Sequence, residues 1–421
     1  MRNDNLKPTD LIWNTLGTCT YAAISLLISI FVIRISGKTE GGIFSFGFST
    51  LARLTFIITY FGIRPMHIVD IKYKYSPSDY IKFGKMMGLI SLIIGSAFVI
   101  YRYFIGNYTI TKVQILYLLI IHGIIDGFAD YYECEYQRVN KLSFCGQSLF
   151  FRIVTFAITL IVSLEFTKNL LLSEIIAIVV ELIMFYFLNI IRSKNLFKTA
   201  KSNDENNKFF NLFLDAFPLF LITFLDMYIF SSAKFAIDKS IGDVASGFFN
   251  LIFMPTNAIY LLMTLFMKPI LTPLSNAYHT DKKEYNKLLN KSMLFALLIC
   301  ALSIIMLYIL GKYYINIINL ITTNNYVEFK DMAFKLLFVV FLGGCLYTLS
   351  TPIYFSIIIE NKQKYLFYSY SVVAIITLIL SNRFVILYGI MGAAYSFCFS
   401  MFLILISIFI VKLIIKIVSN E

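Results

Sequence analysis

Apolar runs of about 20 residues, separated by short polar stretches, recur from one end of the chain to the other. Each is long enough to cross a hydrocarbon core as a helix. The pattern predicts an all-α integral membrane protein with twelve spanning helices. In the first half they cover 9–33, 41–62, 79–103, 114–136, 147–166 and 171–192. In the second half they cover 209–232, 244–268, 288–310, 332–359, 365–382 and 388–414. The most polar stretch, RSKNLFKTAKSNDENNK at 192–208, lies between the two sets. We therefore expect an N-terminal six-helix lobe over 1–192, a linker over 193–208 and a C-terminal six-helix lobe over 209–421. The first run, 11–33, lacks a small-residue cleavage site and is expected to stay in place as a helix.

Composition agrees with the pattern. Of 421 residues, 59% are hydrophobic and 14% charged, against about 25% charged in a soluble domain. Mean hydropathy is +0.78. The net charge of +12 would suit nucleic acid, but its distribution gives a better account. With the N-terminus in the cytoplasm, loops on that side hold about twice as many Lys and Arg as the opposite loops, which is the orientation signal of a membrane protein. Both termini are then cytoplasmic, and no nucleic-acid partner is implied.

Chemistry-bearing motifs are sparse. The six cysteines form no CxxC pair and sit mostly in apolar runs, as packing residues do. Three histidines without ligand spacing predict no metal site. Nucleophile-elbow, P-loop, HExxH and dinucleotide signatures are absent, and no loop much exceeds twenty residues, so we expect no enzyme and no catalytic residues.

Part of the first half recurs in the second. Arg64-Pro65, followed by Asp79-Tyr80, has a counterpart in Lys268-Pro269 followed by Glu284-Tyr285. Each pair follows the second helix of its half, and each acidic-Tyr step opens the third. Six helices per half leave both halves in the same orientation, so the pattern predicts a parallel repeat about an axis along the membrane normal. Pro65 and Pro269 are candidate pivots at these junctions. Pro218 should bend the seventh helix.

Charges inside the membrane mark the functional side. Arg53 lies mid-helix, where a charge costs roughly 2.5–3.5 kcal/mol on insertion scales, and such residues face protein or water. On the fourth helix His122, Asp126 and Asp130 stand four residues apart, with Glu133 and Gln137 continuing the row. At 100° per residue they share one face. That stripe reads either as the wall of a hydrated pathway or proton relay, or as partners for Arg53 and nearby cations. Glu181 in the sixth helix and Asp226 in the seventh are also deep, whereas Asp215 falls near the interface. Arg152, at the start of the fifth helix, faces a cavity or snorkels. Helices nine to twelve carry no charge in their apolar cores, so helices one to eight should build the cavity. Positive groups there suit a phosphate or pyrophosphate.

Several stretches resemble the Wzx-type polysaccharide flippases of the MOP superfamily. They are the second-half segment 217–289, beginning FPLFLITFLDMYIFSSAKFAIDKSIGDVASGFFN, and, in the first half, GIRP with YSPSDY and DGFADYYECEYQRVNKLSFCGQSLFFR. The resemblance spans nearly the whole chain. It implies a MATE/MOP-like fold, and a flippase that moves undecaprenyl-pyrophosphate-linked oligosaccharide across the bacterial cytoplasmic membrane by ion-coupled alternating access. H+ or Na+ would be the coupling ion, with no other cofactor. Carried over, Arg53 matches the cavity arginine, and Arg64, Arg152, Lys234 and Lys268 become further headgroup candidates. Asp126, Asp130, Glu181 and Asp226, with His122, become candidates for coupling or charge balance. Deep acids outnumber deep bases here, unlike the cationic family pattern. The implied partners are the lipid-linked oligosaccharide, membrane lipid, and a polymerase or chain-length regulator, with the protein itself a monomer. The alternatives are a MATE-like drug or metabolite antiporter of the same fold and a membrane polymerase or glycosyltransferase. The second would need a longer outward loop than this chain offers.

Overall fold

The structure, a computed structural model, describes residues 8–70, 74–197, 208–323 and 325–418. Among these residues there is no strand. The helices are α1 Pro8–Phe46, α2 Ala52–Tyr60, α3 Arg64–Val69, α4 Pro77–Phe104, α5 Ile110–Arg138, α6 Leu142–Thr167 and α7 Leu170–Phe185, then α8 Arg192–Phe197, α9 Lys208–Ser240, α10 Asp243–Thr280, α11 Lys282–Ile321, α12 Lys330–Ile359 and α13 Gln363–Val418. Wider π-helical turns, Gly47–Leu51 and Tyr186–Ile191, link α1 to α2 and α7 to α8.

Ten helical stretches among the described residues are long and apolar enough to span a membrane. Two of them, Pro8–Tyr60 and Gln363–Ile417, have 53 and 55 residues. At 1.5 Å per residue each would be about 80 Å long, far more than a bilayer core of about 30 Å. Both turn back at a glycine with positive φ, Gly37 (84°) and Gly389 (59°). In a straight helix, positions eight apart are separated by about 12 Å. Yet a Cβ on Gly41 would lie 2.5 Å from the Ile33 Cα, and one on Gly392 would lie 1.8 Å from the Phe384 carbonyl oxygen. Each long stretch is thus a helical hairpin.

Contacts divide the chain into two compact units, Met1–Phe224 and Leu225–Glu421. The division falls inside α9, beyond the polar 193–208 stretch, of which 198–207 lie outside the described residues. The physical cause lies in the first turns of α9. Phe220 stacks on Phe61 at 4.2 Å, and Lys74 Nζ donates to Asp215 Oδ2 at 2.7 Å. Gly62, at φ 65°, brings its backbone against that of Phe220, where a Cβ would meet the Phe220 nitrogen at 2.9 Å.

Within the first unit, glycines set the helix spacing, as small residues do where lipid supplies no hydrophobic drive. A Cβ on Gly123 would come within 2.3 Å of the Ala52 carbonyl, and one on Gly127 within 2.8 Å of the Phe56 carbonyl. This i, i+4 pair seats α2 on α5. Gly17 and Gly146 do the same for α1 and α6, at 2.3 Å. In the second unit Gly344 admits Thr256 of α10 against α12, and Gly343 admits Phe397 of α13.

The repeated loop motif takes related but unequal forms. In the first unit Ser76 and Asp79 form a reciprocal capping box at the start of α4, and the Tyr80 hydroxyl donates to Asp70 at 3.1 Å. In the second unit Asp281 caps α11, and the Tyr285 hydroxyl donates to Glu360 at 2.7 Å, beside Lys412. Pro65 occupies the first turn of α3, where its missing N–H is harmless. Position 269 corrects the expectation of a helix junction there. α10 continues through it to Thr280, because Leu274 and Ala277 beyond it pack against Tyr285. Pro218, where a bend was expected, lies inside α9.

Candidate functional site

The stripe on α5 is the axis of a buried charge cluster in the first unit. His122, Asp126, Glu133, Arg152 and Glu181 are each at most 4% exposed. Arg152 of α6 places Nη2 3.0 Å from Asp126 Oδ1 and 3.4 Å from Glu133 Oε1. His122 Nδ1 lies 2.8 Å from Glu181 Oε2 of α7, and its Nε2 lies 3.8 Å from Asp126 Oδ2. The Tyr21 hydroxyl of α1 donates to Asp126 Oδ2 at 2.7 Å. The imidazole is held between Phe48 and Phe156, with ring centroids 5.4 and 4.3 Å away. Removing such ions from water costs several kcal/mol each, which only close pairing offsets. Ligand atoms of His122, Asp126 and Glu181 converge within 4.8 Å of one another, a spacing compatible with a cation.

Arg53 stands apart from this pairing. Its guanidinium lies over the Tyr21 ring, 5.3 Å from the centroid. Among the described residues it makes no ion pair, and Asp126 is engaged by Arg152 and Tyr21 instead. Of the basic residues expected near the stripe, Arg152 makes the direct pairs with Asp126 and Glu133, while Arg53 acts on Asp126 from across the cavity without touching it. Arg53 lines a narrow cavity with Tyr21, Ser25, Phe48, His122 and Asp126, about large enough for one water molecule. The π-helical turn Gly47–Leu51 immediately precedes it, and such turns often occur at functional sites.

The network continues along α5 toward its C-terminal end. Arg64 Nη2 lies 3.3 Å from Asp130 Oδ1 and 4.0 Å from Glu133 Oε2, with its side chain 32% exposed. A further cluster was missed from sequence. His67 Nε2 contacts Glu135 Oε2 at 3.0 Å, Arg138 Nη2 contacts the same oxygen at 2.5 Å, and Arg138 Nη1 lies 3.8 Å from Asp70. Tyr80 stacks on His67 at 3.7 Å. The i, i+3 spacing of Glu135 and Arg138 was its visible half. His67, in α3 outside the spanning stretches, is held below its ordinary pKa of 6.5, first by burial, with Glu135 opposing.

In the second unit Asp226 sits among tyrosines. The Tyr347 hydroxyl donates to its Oδ2 at 2.6 Å, Tyr370 also hydrogen-bonds to it, and Tyr260 stacks near Tyr347 at 4.9 Å. Oδ1 is buried without a partner. Lys234 is buried with its ammonium 4.5 Å from the Phe253 ring centre. The side chains of Lys268 and Pro269 lie outside the described residues.

This architecture is shared with known transporters. The lipid II flippase MurJ, in an inward closed conformation, matches with a TM-score of 0.71 at 17% identity over 95% of this chain and 87% of its own. An inward-facing multidrug resistance MATE transporter of the MOP superfamily matches at 0.65 and 9% identity, over 98% and 99%. The chain is a multi-pass membrane protein whose fold is the one these two transporters share. In sequence it is similar to the capsular polysaccharide biosynthesis protein CapF of Staphylococcus aureus, 22% identical over 390 residues, which is 92% of this chain and 94% of the relative. No family model matches.

Proposed function

We propose that the protein flips an undecaprenyl-pyrophosphate-linked oligosaccharide from the cytoplasmic to the outer leaflet of the bacterial cytoplasmic membrane, for surface polysaccharide assembly. The unpaired Arg53 carries this reading. A half-buried guanidinium on a membrane helix that makes no direct ion pair, with Asp126 across the same cavity already engaged by Arg152 and Tyr21, can take an anion, and its fork matches phosphate oxygens. The likeness in fold to a lipid II flippase and in sequence to a capsular polysaccharide protein supports a lipid-linked sugar. Sugars and pyrophosphate do not cross hydrocarbon unpaired, so polar protein groups replace their water while the lipid tail stays in the bilayer. The protein works by alternating access with both termini cytoplasmic, as a monomer beside a polymerase or chain-length regulator. Arg64 serves as a secondary headgroup contact.

The driving force in this proposal is a proton, or alternatively a sodium ion, taken up by the His122–Asp126–Glu181 cluster. Arg152 holds Asp126 and Glu133 in place and is too enclosed to meet the headgroup.

Deletion of the gene should leave lipid-linked oligosaccharide in the inner leaflet. Wild-type protein should restore export and Arg53→Ala should not. Full restoration by Arg53→Ala would sink the assignment. Asp226, a deep carboxylate among tyrosines, favours a second reading as a cation antiporter. Accumulation of a cationic dye in deletion cells, with lipid-linked sugar unchanged, would select it.

A further inference from the structure

The charge cluster ends, toward the α1 turn, in groups that its pairing leaves unused. Glu174 on α7 is 1% exposed, and neither carboxylate oxygen has a hydrogen-bond partner. Glu40, three residues past the Gly37 turn, is the charged group that acts on it. The buried basic groups of this end, Arg102 and Lys112, lie over the Tyr108 ring. Ser45 is fully buried, and its hydroxyl also lacks a partner.

Helix register relates these groups in depth. Glu174 and Glu181 lie on one buried face of α7, two turns and about 10.5 Å apart. Glu40 precedes Phe48, which stacks on His122, by about 12 Å of helix, and Ser45 lies between them. Both elements run from the turn end toward the cluster. The acids Glu40 and Glu174 therefore stand at one level, Ser45 below them, and Glu181 with His122, Asp126 and Arg152 below that.

We propose that Glu40, Glu174 and Ser45 form the outer half of a proton route that delivers protons to Glu181 and His122. An unpaired carboxylate is expensive in such a place, so Glu174 carries charge only transiently, between receiving a proton and passing it on. A metal cation is a poor fit, because hard cations gather six or more oxygens and Glu174 brings two. A proton enters from outer water, binds a Glu174 oxygen, and leaves for Glu181 through Ser45 and intervening water. Glu181 in turn passes it to His122 Nδ1 across the 2.8 Å contact. At the end of this half Glu174 and Glu181 are carboxylates again and His122 holds the proton as imidazolium, so charge balances at each step.

This inference rests on the coupling reading above, and the test separates the two. The protein is reconstituted in sodium-free vesicles that contain lipid-linked oligosaccharide and a pH-sensitive dye, potassium and valinomycin compensate the charge, and the outer-facing side is acidified. Wild type should acidify the lumen. Glu174→Gln, uncharged and nearly isosteric, should slow that flux by about a hundredfold, and Glu174→Asp should fall between. Glu165→Gln, at an exposed site, should match wild type. The melting temperature of Glu174→Gln should stay at the wild-type value, which excludes misfolding as the cause. Wild-type flux in Glu174→Gln would overturn the route alone. No proton movement through wild type, or movement only with sodium present, would overturn proton coupling and the route with it.

Discussion

Arg152→Met tests whether the cluster is held by the pairing the structure shows. Met keeps the apolar stem and removes the guanidinium. Asp126 then loses its 3.0 Å contact and Glu133 its 3.4 Å contact. Asp126 keeps the Tyr21 hydroxyl, and His122 at 3.8 Å. Glu133 keeps the Ser148 hydroxyl at 3.0 Å and Arg64 at 4.0 Å. Breaking one side of a buried ion pair costs about 3–5 kcal/mol, and these remaining partners place the loss near the lower end. Adding Asp126→Asn removes one stranded charge and should restore about 1–2 kcal/mol, a coupling expected only of groups in contact. Unfolding in detergent can be followed with a thiol-reactive dye, since Cys134 and Cys145 are buried in the same unit, at 0% and 1% exposure. The reasoning fails if Arg152→Met is as stable as wild type within about 0.5 kcal/mol, or if the second substitution adds to the loss.

Two further outcomes follow from the packing and the loop. Gly123→Ala places a methyl 2.3 Å from the Ala52 carbonyl and 2.4 Å from Thr55 Oγ1. It should cost about 1–3 kcal/mol by overpacking and move Arg53 away from the His122 cavity, so transport should fall while membrane insertion persists. Surface accessibility of a cysteine introduced at Arg53 would report the shift. His67 provides a pH signature. Its docked form binds a proton less readily than its ordinary value of 6.5, chiefly through burial, whereas the undocked imidazole titrates normally. Its contribution is therefore present above pH 6.5 and is lost as pH falls below that toward the lowered value. Protection factors of the α3 amides, corrected for the intrinsic pH dependence of exchange, should fall on acidification from pH 7 to 5, and His67→Gln should abolish that fall. A flat profile in wild type would contradict the assignment.

The apolar runs were legible because hydrocarbon thickness imposes a length on each of them. Gly37 falls in the predicted gap between 33 and 41, whereas the turn at Gly389 lies just inside the stretch expected to run over 388–414. The α5 stripe was legible because all its members lie on one helix at one spacing. Its partners were harder to see. Arg152 and Glu181 arrive from α6 and α7, and no local signal relates them to His122 and Asp126. Arg53 stood out by its mid-helix position, but no local pattern shows that Arg152, from another helix, takes the direct contact with Asp126. The tyrosines around Asp226 come from α10, α12 and α13 in a chain with 28 tyrosines, which gives composition no contrast to work with. The repeat predicted a break at Lys268-Pro269, but packing of Leu274 and Ala277 against Tyr285 carries α10 onward. Pattern marks where a helix can end, and tertiary contacts decide whether it does.

The central claim is that Arg53 receives the pyrophosphate of a lipid-linked sugar during its passage between leaflets. Its most direct test is a flipping assay in proteoliposomes loaded with undecaprenyl-pyrophosphate-linked oligosaccharide, scored by access of a membrane-impermeant sugar-oxidising reagent. Wild type should expose the inner pool. Loss of charge-assisted hydrogen bonds worth about 1.5–3 kcal/mol should slow Arg53→Ala by roughly 10–100-fold, with Arg53→Lys intermediate. Equal rates for wild type and Arg53→Ala would contradict the account.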